Sequence, residues 1–335
     1  MAEAVVVSVT LFFLGFWHWQ HHVINPSHMS GDKWYMRRMA YTDQPVSPPY
    51  CWRPLLPFLA RLAGFSVVSY AATAITPLII YWYLGSGWSA AAVALMFVGS
   101  RDIFSFNIRN PEYAESIGQF LVVSGAWALR DGALWPAAVV LILGGLTRET
   151  VACLLALLAI FSPLWFLAPL PILGLGAAYL TRREDKTNRH PLVEGSPYET
   201  LVRWAKVKGE KCLHYAHTVQ TFRGLTFSVP FVWSQADAWA RCGLLGFIPI
   251  WLLALPASGQ TRIMSYGFIL LAPFAVAAGS PWVWFLLLLH WFWPIDYALY
   301  EEGGGQDFGI LRGTQASMQP VQQAVHEQDP GREEL

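Results

Sequence analysis

The chain has 335 residues, of which 55% are hydrophobic and only 13% charged, and its mean hydropathy is +0.38. An average soluble domain carries about 25% charged residues, so the composition indicates a membrane protein. Twenty-two basic residues balance 22 acidic ones, which gives no electrostatic case for a nucleic-acid partner. The fold class that follows is all-α, a polytopic transmembrane helical bundle of about 8–10 spans.

The N-terminal part predicts one span and then an outer-face region. Ala4–Trp19 is apolar but lacks the basic n-region and the cleavage site of a secretory signal, so we expect an uncleaved first span. Residues 20–64 are expected to form an outer loop followed by an interfacial helix. Residues 20–52 are polar and proline-rich, whereas residues 53–64 place two arginines among leucines.

Further apolar segments predict the remaining spans in chain order. They are Phe65–Leu84, Trp88–Val98, Tyr113–Leu129, Ala133–Phe161, Pro163–Leu180, Gly243–Leu255, Ile263–Ala278 and Trp282–Trp293. The run from Ala133 to Phe161 is interrupted by the polar residues 147–150. Leu225–Trp239 suits either a span or an interfacial helix.

Two predicted domains follow from this pattern, a transmembrane domain over residues 1–300 and a disordered acidic tail over 301–335. Residues 181–223 form the largest hydrophilic segment, with nine Lys/Arg against five Asp/Glu, and the positive-inside rule favours a cytoplasmic side for it. Counting six spans back from that loop puts residues 20–52 and 101–112 together on the outer face.

The first outer loop carries groups that suit transfer chemistry. Asp32 is followed by Lys33 and Arg37, and Arg53 precedes a proline at the expected membrane edge. A carboxylate can accept a proton from an incoming hydroxyl, while ammonium and guanidinium groups hold a lipid-linked phosphate. A solvated loop with snorkelling arginines accounts for the same residues, and their spacing leaves both interpretations open.

Charged residues also occur at two later positions beside apolar segments. Arg148 and Glu149 interrupt the long apolar run, where ionisable residues indicate a functional site, an internal ion pair or a helix end near the interface. Glu115 is expected at the outer mouth of the fourth predicted span. An acid there also suits a helix N-terminus, which the helix dipole favours.

These elements together resemble a family. Asp32, Tyr35 and Ala40, followed by Arg53-Pro54-Leu55-Leu56-Pro57, resemble the D-x-x-Y…A…R-P-L-x-P pattern of bacterial polytopic membrane glycosyltransferases of the GT-C type. Pro111 and Glu115 resemble the P-x-x-x-D/E element that comes next, and Leu146-Thr147-Arg148-Glu149-Thr150 is similar to the following L-T-R-E-T run. The resemblance covers residues 32–150, under half of the chain. Two departures are Glu115, where Asp is commoner, and Lys33 directly after Asp32.

The resemblance implies inverting transfer of a sugar from a polyprenyl-phosphate donor to a lipid, glycan or protein acceptor, at the outer face of a bacterial-type plasma (inner) membrane. It implies that Asp32 is the catalytic base and that the donor phosphate is bound by Arg53, Lys33 and Arg37. Tyr35, Glu115, Arg148 and Glu149 would support the same cavity. The expected partners are membrane lipids and the lipid-linked sugar donor, and neither a metal nor another cofactor is expected with a monophosphate donor.

Two other functions remain open from the sequence. A transporter or flippase of a lipid-linked substrate would use Arg148 and Glu149 as a coupling pair at the midplane between two similar halves, although no internal repeat is visible. A membrane di-iron desaturase or hydroxylase would use the H-x-x-H-H run of residues 18–22 together with His214 and His217. The spacing of His18, His21 and His22 equally suits an aromatic-belt anchor.

Overall fold

A computed structural model gives the fold, and it describes residues 31–42, 45–46, 52–100, 103–104, 106–181, 222–254 and 264–291, with Thr10 and Phe13. Within these ranges the chain is all-α and forms no extended strand. The described residues belong to one compact unit, which spans Met1–Trp293. The predicted tail, most of the predicted first span and nearly all of the hydrophilic segment 181–223 lie outside the described residues.

Two short helices precede the apolar ones, α1 (Gly31–Tyr41) and α2 (Leu55–Ala63). Met36 and Ala40 lie one helical turn apart on α1 and are buried in one cluster with Leu56 and Ala60 of α2. α2 falls within the expected interfacial helix. The sequence predicted a loop where the structure has α1. The helix is polar in composition, and the two buried residues among those described, four positions apart, are too few to give a clear hydrophobic pattern.

The next helix, α3 (Phe65–Tyr83), has 19 residues and a mean hydropathy of 1.4. Among the described residues it is the one helix whose length and composition suit a membrane crossing. Its bounds agree with the predicted segment Phe65–Leu84. The result is a single candidate membrane-spanning helix, accompanied by shorter apolar ones.

The remaining helices follow in chain order. They are α4 (Trp88–Val98), α5 (Phe106–Arg109), α6 (Glu115–Arg130), α7 (Leu134–Gly145), α8 (Glu149–Ile160), α9 (Pro169–Thr181), α10 (Gly224–Val232), α11 (Ala238–Ala254), α12 (Phe268–Ala277) and α13 (Ser280–Trp291). Short 3₁₀ turns, Trp165–Leu167 and Ser265–Gly267, precede α9 and α12. The helix predicted over Trp88–Val98 has those bounds in the structure.

The predicted break in the apolar run 133–161 separates α7 from α8. The Thr147 hydroxyl donates a hydrogen bond of 2.8 Å back to the Leu143 carbonyl, which satisfies part of the C-terminal end of α7. Arg148 then adopts an extended backbone, and Glu149 begins α8. The polar interruption in the sequence is therefore a turn between two helices.

Glycines allow α6, α7, α8 and α9 to pack closely. The Leu155 side chain of α8 fills the space beside Gly125 of α6 and Gly144 of α7, where an added Cβ would overlap it. Gly145 of α7 and Gly174 of α9 bring two backbones into contact, because a Cβ on Gly174 would lie 2.5 Å from the Ile142 carbonyl oxygen. Small residues at such crossings are typical of helices packed in lipid.

Charge on α6 is confined to its two ends. Glu115 is its first residue, Arg130 its last, and the residues between them are uncharged. Arg130 pairs with Asp237 at 2.7 Å and lies over the Tyr83 ring, 5.2 Å from the ring centroid. A rise of 1.5 Å per residue separates the two charged layers by about 22 Å.

Candidate functional site

The charged end of the bundle, where α6 and α8 begin, brings together residues that are far apart in the sequence. Nη2 of Arg53 lies 3.2 Å from Oε2 of Glu149, 96 residues later. The two segments are also joined by their backbones, because the Leu55 amide donates a 3.2 Å hydrogen bond to the Leu146 carbonyl. The arginine before α2 is thereby fixed beside the first turn of α8.

A second ion pair lies next to the first. Nη1 of Arg148 donates a very short hydrogen bond to Oε1 of Glu115, and the Glu115 side chain is only 2% exposed. Arg148 has an extended backbone just before α8, whereas Glu149 is already helical. These neighbours therefore project in different directions and take different partners, instead of pairing with each other.

A third ion pair attaches α1 to the same end. Nη2 and Nε of Arg37 lie 2.5 and 3.1 Å from Oε1 of Glu112, in the turn before α6. The Glu112 side chain is buried, whereas that of Arg37 is half exposed. Together with the packing of Met36 and Ala40, this pair holds α1 against the start of the bundle.

Both helix starts suit acidic residues. Glu115 and Glu149 occupy the first turns of α6 and α8, where unsatisfied backbone N–H groups and the helix dipole stabilise negative charge. Arg148 and Arg53 add guanidinium groups at the same place. The result is a compact set of alternating charges at the ends of helices.

Uncharged polar groups continue one turn further into the bundle. Asn107 donates to Gln119 at 2.6 Å, and Gln119 donates to Ser265 at 2.7 Å. Ser69 donates to Ser116 at 2.8 Å. All of these side chains are buried, so the chain of hydrogen bonds connects α3, α5, α6 and the turn before α12 beneath the ion pairs.

The structure brings four of the sequence-predicted site residues together, Arg53, Glu115, Arg148 and Glu149. Arg37 lies in the neighbouring pair with Glu112, and Tyr35 packs, half-buried, against the cluster around α1 and α2. Asp32 and Lys33 belong to the first turn of α1, but their side chains lie outside the described residues.

The histidines considered for iron, His18, His21, His22, His214 and His217, also lie outside the described residues. Among the residues that are described, no group of three or more His, Cys, Asp or Glu side chains is arranged to hold a metal ion. The di-iron hypothesis therefore gains no support.

Sequence reasoning missed Glu112 and Gln119. The signal for Glu112 was its spacing of three residues from Glu115, which puts two acids on one side of a helix start. Gln119 follows Glu115 by four residues, on the same face of an otherwise apolar segment. A buried glutamine in such a helix needs hydrogen-bond partners, and it has them in Asn107 and Ser265.

The guanidinium groups of this cluster are of the kind that binds anions, although each already pairs with a glutamate. Guanidinium groups bind phosphate through planar, paired hydrogen bonds, and two of them lie within this cluster. The buried carboxylate of Glu115 pairs with Arg148, whereas the Glu149 side chain is 30% exposed overall, although its Oε1 is buried. The cluster therefore combines a rigid pair with a more accessible one.

Comparisons with known proteins add no assignment. No family model matches the chain, and searches of curated proteins and of solved structures give no match either. The case for a function therefore rests on the residues of this chain and on their geometry.

Proposed function

We propose that this protein is a multi-pass membrane glycosyltransferase of the GT-C type, which transfers a sugar from a polyprenyl-phosphate donor to a lipid, glycan or protein acceptor. The observation that carries the proposal is the joining of Arg53 to Glu149 and of Arg148 to Glu115 at one end of the bundle. These residues come from the three sequence elements that resemble the family. Their meeting at one end of the bundle supports a shared site.

The membrane part of the proposal is supported by apolar surface. Seven apolar helices of 10 to 17 residues accompany α3. Large side chains are exposed on α3 and on several of these helices, including Val67, Trp88, Trp135, Leu173, Leu180 and Leu288. Soluble monomers rarely expose so much apolar surface, whereas lipid solvates it. Helices of about 12 residues are roughly 18 Å long, so the bilayer would thin locally or flanking residues would complete the crossing.

The proposed roles follow the position of each group. Arg53 would neutralise the phosphate of the donor, which becomes the leaving group. Asp32 would accept the proton of the acceptor hydroxyl as that oxygen attacks the anomeric carbon from the opposite side, which inverts its configuration. The packing of α1 against α2 supports this arrangement, because it keeps the helix that carries Asp32 beside the segment that carries Arg53.

The position of the ion pairs favours a transferase over a transporter. A transporter would need its coupling charges near the midplane, between two similar halves. The described ion pairs instead lie at the ends of α6, with uncharged residues between them. Charges at a helix end suit a site that opens at the membrane surface, where a lipid-linked phosphate is found.

Sugar transfer in membranes tests the proposal directly. Radiolabelled polyprenyl-phosphate sugars are supplied to membranes that contain the full chain, and the wild type is compared with Asp32→Asn. Asp131→Asn is the matched control, because Asp131 is exposed at the opposite end of α6. We expect transfer to be lost with Asp32→Asn and kept with Asp131→Asn. Equal transfer by Asp32→Asn and the wild type would show that Asp32 is not the catalytic base. No transfer by the wild type from any donor would reject the glycosyltransferase proposal.

A further inference from the structure

Each of three arginines at the charged end pairs with a glutamate. The pairs are Arg37 with Glu112, Arg53 with Glu149, and Arg148 with Glu115. An incoming phosphate therefore meets guanidinium groups whose charge a carboxylate already balances. The phosphate gains a full ionic contact with one of these guanidinium groups only if the paired carboxylate is displaced.

The three glutamates differ in how easily they can be displaced from their arginines. Glu112 and Glu115 are 6% and 2% exposed, so displacing either from its arginine would break an ion pair around a buried carboxylate, which is costly. The Glu149 side chain is 30% exposed. Its Oε1 is buried without a hydrogen-bond partner among the described residues, so the contact with Arg53 is the one described hydrogen bond of this carboxylate. Its contact with Arg53 is also the longest of the three, at 3.2 Å. Exchange is therefore easiest at Glu149.

The frame around this pair does not depend on the ion contact. The hydrogen bond from the Leu55 amide to the Leu146 carbonyl holds the same two segments together through their backbones. The buried pair of Arg148 and Glu115 holds the start of α8 against α6. A carboxylate could leave Arg53 by side-chain rotation alone while both segments stay in place.

We propose that Glu149 occupies the position of the donor phosphate on Arg53 and is exchanged for it when a polyprenyl phosphate binds. The identity of the lipid in this inference rests on the proposed function. Binding is then a competition between two anions for one guanidinium. After transfer, the return of Glu149 to Arg53 would help to expel the polyprenyl phosphate that the reaction leaves behind.

Binding of a short prenyl phosphate to the purified full chain in detergent micelles tests the exchange. The probe is farnesyl phosphate, with farnesol as the uncharged lipid control and inorganic phosphate as the lipid-free control. The variants are Glu149→Gln, Arg53→Gln and the double substitution. Asp237→Asn is the matched acid-to-amide control, because Asp237 pairs with Arg130 at the other end of α6 and is similarly accessible.

We expect Glu149→Gln to bind farnesyl phosphate about fivefold more tightly, which corresponds to the loss of one partly exposed ion pair. Arg53→Gln should weaken binding by about tenfold or more, and the double variant should behave like Arg53→Gln alone. Asp237→Asn should leave the affinity unchanged. Glu149→Asp, whose shorter side chain loses its contact with Arg53, should also bind more tightly and serves if the amide variant does not fold.

Several outcomes would overturn the exchange. The first is an affinity of Glu149→Gln for farnesyl phosphate that is unchanged or weaker. The second is a gain in affinity that persists when Arg53 is also replaced. The third is a gain in affinity in Glu112→Gln and none in Glu149→Gln. Equal binding of inorganic phosphate or of farnesol would reject a lipid phosphate as the ligand. If the wild type transfers sugar but Glu149→Gln leaves the donor affinity unchanged, the exchange is rejected and the proposed function stands. If Glu149→Gln binds more tightly but the wild type transfers no sugar, the proposed function is rejected and the exchange stands.

Discussion

Arg148 and Glu115 form an ion pair across 33 residues of chain, with both side chains almost fully removed from solvent. Breaking a buried pair leaves the other charge uncompensated, which typically costs about 3–5 kcal/mol. We therefore expect Glu115→Gln to lower the free energy of unfolding by about this amount. Thermal unfolding of the purified protein in detergent measures the loss as a lower melting temperature.

The control for that experiment is the pair at the opposite end of α6. Arg130 and Asp237 are 36% and 42% exposed, and pairs of this kind contribute about 0–1 kcal/mol. Asp237→Asn also keeps an acceptor for the Ala240 amide, which Asp237 caps at 2.7 Å. A loss in Glu115→Gln no larger than in Asp237→Asn would contradict the importance of the buried pair.

The backbone contact between α7 and α9 predicts a sharp difference between two glycines. A Cβ on Gly145 would overlap the Pro171 carbonyl oxygen, whereas one on Gly176 would meet nothing within 4 Å. Gly145→Ala should destabilise the protein by about 2–3 kcal/mol, since both backbones must separate. Gly176→Ala should stabilise it by up to about 1 kcal/mol, because alanine is the better helix former. Equal melting temperatures of the two variants would argue against this crossing.

The buried hydrogen bonds of Gln119 give a third prediction. Gln119→Leu removes the acceptor of the Asn107 amide and a hydrogen bond to Ser265, and leaving a buried polar group unsatisfied costs about 1–3 kcal/mol. Ser124 lies on the same helix, and its buried hydroxyl has no hydrogen-bond partner among the described residues. Ser124→Ala should therefore leave the melting temperature unchanged or raise it. A Gln119→Leu variant as stable as Ser124→Ala would contradict the hydrogen-bond chain.

Replacing Arg53 by lysine tests the geometry of phosphate binding. Lysine keeps the charge but lacks the planar fork of the guanidinium, so sugar transfer should fall about 10–100-fold while the fold is kept. Arg61 lies on the adjoining helix α2, where its Nε donates to the Ala40 carbonyl at 2.8 Å. Lysine can make that contact, and Arg61→Lys should retain transfer. Transfer rates at donor concentrations well below saturation measure both variants, and equal rates would show that Arg53 does not bind the donor phosphate.

Much of the helical pattern could be predicted from hydropathy. The bounds of α3 and α4 agree with apolar segments that end at glycine-rich turns, and the polar interruption at residues 147–150 marks the start of α8. Apolar runs identify such helices because their side chains are hydrophobic on all sides. The sequence offered no comparable signal for α1, where Met36 and Ala40 are the buried side chains among those described.

The partners within the candidate site were harder to predict. Arg148 and Glu149 are adjacent, so an internal pair was one natural interpretation, yet each side chain contacts a residue of a distant segment. The choice depends on the extended backbone of Arg148 and on how α6 and α8 pack. Neither is encoded in the local spacing of charges. Arg37 and Glu112 were missed as a pair for the same reason.

The large sequence separation within these ion pairs has a consequence for synthesis of the protein. Glu115 leaves the ribosome 33 residues before Arg148, and Arg53 leaves 96 residues before Glu149. At a synthesis rate of about 5–20 residues per second, Glu115 waits roughly 2–7 s for its partner. During that interval α6 begins with a carboxylate that has no counter-ion from Arg148. The charged end is therefore complete only once α8 has emerged.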